Sequence, residues 1–104
     1  MLRYQLFINN EWVEPNSSSW FESLDPFSGE AWAEVPRADT VDVDRAVEAA
    51  AAAFAGPWSR LSASDRGMLI HRLGALVERD AQRLAEAESR DNGKLMSEVL
   101  GQVK

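Results

Sequence analysis

A chain of 104 residues makes at most one domain, and a compact fold of that size buries roughly two-thirds of the surface its unfolded form exposes. It can hold a core but not a large enzyme site. A net charge of −6 without a basic stripe argues against a nucleic-acid surface, and the lack of any cysteine excludes a disulfide framework, a thiolate metal site and a thiol nucleophile.

The opening MLRYQLFINN carries no long apolar core, and no later run approaches ~20 apolar residues. The sequence therefore predicts neither a secretory signal nor a membrane span, and points to the cytoplasm. Leu6-Phe7-Ile8 and Glu11-Trp12-Val13 read as a short hairpin, because Asn9 and Asn10 between them tolerate the positive φ of a tight primed turn. Asn16-Ser17-Ser18 matches a glycosylation sequon but reads as a polar loop. Trp20 to Leu24 predicts a strand ended by Asp25-Pro26, and Ala31 to Val35 a second after the turn Phe27-Ser28-Gly29-Glu30. The front third is expected to form a small antiparallel set, marginal unless something packs on it.

Asp39 or Thr40 caps the next helix. Val43, Ala46, Val47, Ala50, Ala51 and Phe54 recur at i, i+3, i+4, i+7, i+8, i+11, the strongest periodicity in the chain, before Gly56-Pro57 stops it. The alanines allow close approach to a helix or sheet, or reflect helix propensity alone.

From Leu61 to Lys94 the sequence reads as two helices closed by a turn. Ser62 and Asp65 have capping-box spacing, and Leu69, Ile70, Leu73, Leu76 and Val77 share one side, a stripe expected to face a core. Asp80 is a candidate N-cap for the second helix, in which Ala81, Leu84 and Ala85 repeat the pattern, and Gly93 after Asp91-Asn92 supplies a left-handed stop. Arg66 and Glu88 project into the apolar sides; they either pair with each other, bond a backbone terminus or snorkel to water. Met96, Val99, Leu100 and Val103 start a new stripe that no cap, glycine turn or polar tail closes before Lys104, which suggests a piece of something longer.

Chemistry-bearing residues are few. His71, on the polar side of its helix beside Arg72, reads as a surface residue. No His/Cys cluster or glycine-rich phosphate loop occurs, and Glu86, Glu88 and Asp91 interleave with Arg83, Arg90 and Lys94 as on a salt-bridged, solvated face. On these grounds alone the chain is an α+β arrangement of no evident activity.

The motifs together say more. Leu6 to Val13, Asp25-Pro26-Phe27-Ser28-Gly29-Glu30, Asp42 to Ala50, Pro57-Trp58, Ser64-Asp65-Arg66-Gly67 and Glu88-Ser89-Arg90-Asp91-Asn92-Gly93-Lys94 resemble, in order and spacing, the opening of the NAD(P)-dependent aldehyde dehydrogenases. Leu95 departs from the proline that many members place there. The resemblance implies an α/β fold in which residues 1–104 are the incomplete amino-terminal part of an NAD(P)-binding domain, 1–37 as short hairpins and 38–104 as helices. It implies an oxidoreductase that, when complete, converts an aldehyde to a carboxylic acid: a cysteine thiolate attacks the carbonyl, hydride passes to NAD or NADP, and an activated water releases the acid.

The cysteine, the general base and the cofactor-phosphate helix belong to later segments of the family pattern, so no catalytic or cofactor-binding residue is expected here and the chain should be inactive alone. By position, Ser23 and Asp91 match residues that give oxygens to a structural monovalent cation, Na or K, unless Asp91 simply caps the following helix. Expected partners are the rest of the dehydrogenase chain, further copies in a homo-oligomer and the aldehyde. The alternative is a free-standing helical interaction module that docks on a relative or subunit without catalysis.

Overall fold

The computed structural model describes residues 1–103; the side chain of Val103, last in the final apolar stripe, and Lys104 lie outside the described residues. Among these, the strands are β1 (Leu2–Arg3), β2 (Leu6–Ile8), β3 (Glu11–Val13), β4 (Trp20–Leu24) and β5 (Ala31–Pro36). The helices that follow are α1 (Thr40–Ala55), α2 (Pro57–Arg60), α3 (Ala63–Arg79), α4 (Ala81–Asn92) and α5 (Met96–Val103). The chain divides into two compact units: Met1–Ser23 with Ala33–Leu61, and Leu24–Trp32 with residues from Ser62 onward.

In the first unit β2 and β3 form the expected hairpin, with Leu6 opposite Val13, Phe7 opposite Trp12 and Ile8 opposite Glu11. Asn9 and Asn10 have φ of 53° and 63°, the left-handed pair that a type I′ turn requires, so strand twist and turn twist agree. The Phe7 and Trp12 rings lie 4.8 Å apart across the ladder.

The other strands correct the all-antiparallel expectation. The sheet order is β1-β5-β4, and β1 runs parallel to β5, Leu2 opposite Ala33 and Arg3 opposite Glu34. A strand of two residues is too short to show a period. Beside the backbone bond from Tyr4 N to Glu34 O at 2.9 Å, two side chains hold it: Arg3 Nε donates to Glu34 Oε2 at 2.7 Å with its guanidinium 4.3 Å over the Trp20 ring, and Trp20 Nε1 donates to the Tyr4 carbonyl at 3.0 Å.

Asp39, not Thr40, caps α1, because its carboxylate can reach the third amide of the first turn. Asp39 Oδ1 accepts from Asp42 N at 3.2 Å and Asp42 Oδ2 accepts from Asp39 N at 3.1 Å, a reciprocal capping box. Asp42 is only 2% exposed, and both its oxygens also accept from Asn16 N at 3.1 Å; Asn16 Nδ2 donates to Asp39 Oδ2 at 2.9 Å. One pair of carboxylates thus starts the helix and fastens the Asn16 loop to it.

On α1 the close approach that its alanines allow is made to a strand. The bulky residues of the stripe stay open to solvent, Val47 at 61% and Phe54 at 76% exposure. The helix packs against β2 instead, where Ala46, Ala49, Ala50 and Ala53 face Phe7 and Ile8 across a shallow cleft of ≈ 390 Å³. Small side chains allow that approach; the branched and aromatic ones are left on the outside.

In the second unit Ser62 Oγ accepts from Asp65 N at 3.1 Å and starts α3. The stripe on α3 does not face a core among the described residues: Leu69, Ile70, Leu73 and Leu76 are all exposed, Leu73 at 59%. The buried apolar residues of this unit sit on the next two helices, Ala81 and Ala85 on α4 and Val99 on α5. Asp80 occupies the cap position of α4 but bonds no amide there. Its carboxylate takes Arg79 Nη2 at 3.1 Å and Arg83 Nη2 at 3.2 Å, which holds it below the usual carboxylate range, the Arg79 hydrogen bond chiefly. Glu88 is half-exposed and pairs with Lys94 Nζ at 3.7 Å, while Arg66 is half-buried.

Candidate functional site

In the second unit, two of the motif stretches that are distant in sequence meet. The first is the turn after β4. Asp25 N donates to Glu30 O at 2.8 Å, Gly29 N returns to Asp25 O at 2.8 Å, and Asp25 Oδ1 accepts from Phe27 N at 2.8 Å, an Asx turn closed by Gly29 at φ 72°. The second is the α4–α5 turn, where Gly93 at φ 79° donates its N–H to Ser89 O at 2.8 Å.

A Cβ on Gly93 would lie 3.3 Å from Pro26 Cβ, so a side chain there would press on Pro26 as well as strain the left-handed dihedral. Ser89 Oγ donates to Lys94 O at 2.6 Å and Asn92 Oδ1 accepts from Lys94 N at 2.9 Å, which turns the backbone toward α5. Between the two turns lies an open concavity of ≈ 380 Å³, lined in part by Asp25, Phe27, Glu86, Arg90, Lys94 and Met96. Arg90 also lies 5.8 Å over the Trp32 ring.

The residues proposed for a cation fall in different units. Ser23 is half-buried in β4 of the first, and Asp91 is exposed in the last turn of α4 in the second. Asp91 lies within α4, which runs through Asn92, and the Leu95 carbonyl accepts from Glu98 N and Val99 N at the start of α5. A hydroxyl and a carboxylate are hard oxygen donors of the kind a hard cation takes, but such an ion needs more oxygens than these two supply. Among the described residues no group of three or more His, Cys, Asp or Glu could hold a metal. His71 is exposed on α3, as its place on the polar side implied.

The sequence reading missed the Asn16–Asp39–Asp42 clamp and the role of Asn92 in the α4–α5 turn. Only the adjacency of asparagine to glycine signalled the second.

Residues 12–104 match the aldehyde dehydrogenase family. The chain is 52% identical over 92 residues to the mitochondrial aldehyde dehydrogenase of Sus scrofa, covering 86% of this chain and 18% of that protein. It is 43% identical over 104 residues to (Z)-2-((N-methylformamido)methylene)-5-hydroxybutyrolactone dehydrogenase of Acinetobacter baylyi, covering 99% of this chain and 21% of that one.

Among solved structures, the NAD-dependent aldehyde dehydrogenase of Sinorhizobium meliloti superposes with a TM-score of 0.92 at 34% identity, over 97% of this chain and 20% of that chain. A betaine aldehyde dehydrogenase of Staphylococcus aureus in complex with NAD+ superposes at 0.91 with 28% identity, over 98% of this chain and 21% of that one. The chain therefore belongs to the aldehyde dehydrogenase family, with an α/β fold, and spans about a fifth of the length of the relatives it matches. No helix among the described residues is long and apolar enough to cross a membrane.

Proposed function

We propose that these residues serve as the amino-terminal part of an NAD(P)-dependent aldehyde dehydrogenase, within its cofactor-binding domain, and that the complete enzyme oxidises an aldehyde to a carboxylic acid. One observation carries this reading. The bulky apolar residues of α1 and α3 stand exposed in a chain that matches a fifth of its relatives, so the remaining four-fifths of such an enzyme is the natural cover for them. The role of the segment is structural: it holds no cysteine to act as the nucleophile, and the turns around Gly29 and Gly93 brace the scaffold.

Three finer points belong to the same proposal. Ser23 and Asp91 give two of the oxygens for a structural Na or K ion, the others coming from the rest of the enzyme; the complete enzyme is a homo-oligomer; and it works in the cytoplasm, mitochondrial import being the alternative that the Sus scrofa relative raises. A free-standing docking module would show no activity in any context.

The test is a chimera in which residues 12–104 replace the matching stretch of the Sus scrofa enzyme. Aldehyde-dependent NADH formation is expected from the chimera and not from the 104-residue chain. Turnover by the short chain, or a folded but inactive chimera, overturns the proposal. In the active chimera Asp91→Ala should weaken the rise in melting temperature produced by K or Na.

A further inference from the structure

Asn9, Asn10, Asn16 and Asn92 are the asparagines of the chain, and only Asn92 precedes a glycine. A backbone nitrogen that follows asparagine can attack that residue's own Cγ, and glycine, lacking a side chain, leaves the approach most open. We propose that Asn92 is a spontaneous deamidation site whose rate is set by the hydrogen bonds that close α4.

In this step the Gly93 nitrogen loses its proton and forms a bond to Asn92 Cγ. The Cγ–Nδ2 bond breaks, ammonia leaves carrying that proton, and a cyclic imide remains. Water then opens the imide at either carbonyl, leaving aspartate or isoaspartate at position 92. No oxidant, reductant or cofactor takes part, and the rate rises with pH as more of the nitrogen is deprotonated.

Asn92 and Gly93 are both solvent-exposed, so water reaches the site. The reacting groups are nevertheless engaged. Gly93 N–H donates to Ser89 O at 2.8 Å, which keeps the attacking nitrogen protonated and directed back along the helix. The carboxamide is pinned at both ends, Oδ1 accepting from Lys94 N at 2.9 Å and Nδ2 donating to Glu88 Oε1 at 3.4 Å. Ser89 Oγ on Lys94 O at 2.6 Å holds the turn shut.

Attack therefore waits for the last turn of α4 to fray, the ordinary low-energy opening of a helix end. The same Lys94 N–H polarises the carbonyl that is to be attacked, so an opened turn that keeps this bond reacts readily.

The product changes the turn. A carboxylate at 92 replaces the Nδ2 donor with a charge like that of Glu88, and the isoaspartyl form adds a methylene to the main chain just before Gly93, displacing its N–H from Ser89 O. Either change loosens the passage from α4 to α5.

The experiment incubates the full 104-residue chain at mildly alkaline pH, with and without urea, and maps aspartate and isoaspartate by peptide mass spectrometry. Modification is expected at Asn92 ahead of Asn9, Asn10 and Asn16, and several-fold more slowly in buffer than in urea. Ser89→Ala should move the buffered rate toward the urea rate, in step with faster hydrogen exchange of the Gly93 amide, and Asn92→Gln should remove the product. Equal rates with and without urea, another asparagine reacting first, or a Ser89→Ala rate unchanged while Gly93 exchange accelerates would each overturn the proposal.

Discussion

Gly29 and Gly93 both take a left-handed φ, 72° and 79°, but differ in what surrounds them. A Cβ at Gly29 meets nothing within 4 Å, whereas one at Gly93 meets Pro26 at 3.3 Å. Gly29→Ala should therefore cost only the dihedral penalty, about 1 kcal/mol, and Gly93→Ala about 2 kcal/mol, because the proline must also give way. Thermal melts of the two variants check the order.

The Asp39 carboxyl lies below its ordinary value, held there first by Asn16 Nδ2 and then by the Asp42 amide. A depressed carboxylate contributes stability that is present above its unfolded-state pKa and is lost as pH falls through the lower folded-state value. Acid should thus weaken the Asn16 Nδ2 bond to Asp39 as pH falls below the ordinary value of 3.8, and Asp39→Asn should flatten that part of the pH–stability curve. At this scale the left-handed Asn9, Asn10 and Gly93 were legible, since each stands in a short turn sequence. The Asn16–Asp42 clamp was not, because its partners lie 26 residues apart and no local pattern links them.

The helices show why period and burial are separate questions. Periodicity located α1, α3 and α4 and the apolar side of each, which is a local property of the chain. It could not say how much of that side is covered, and on α1 the hairpin reaches Ala46 and Ala50 of the stripe while Val47 and Phe54 stay open. The difference can be measured. Val99 is 0% exposed, so Val99→Ala should destabilise the 104-residue chain by about 2 kcal/mol. Leu73→Ala, at an exposed position, should cost that chain less than about 1 kcal/mol but about 2–5 kcal/mol in the chimera, where the proposal has α3 covered. Equal effects in both settings would mean that the α3 face stays open. β1 escaped sequence reading altogether: its parallel pairing with β5 rests on Arg3 with Glu34 and Trp20, contacts without a local signature.

For the molecule as a whole, the order and spacing of several weak motifs carried the family, and the match over residues 12–104 bears that reading out. The local reading by itself reached only strands followed by helices, because the nucleophile that the resemblance implies is a cysteine and this sequence holds none. The open faces of α1 and α3 carry a further consequence under the proposed assignment. Ribosomes add about 5–20 residues per second, so a leading segment that is a fifth of an enzyme waits tens of seconds for the rest to be translated. Throughout that interval Val47, Phe54, Ile70 and Leu73 offer sticky patches to every other nascent chain nearby, and a chaperone that binds such patches would be this enzyme's first companion.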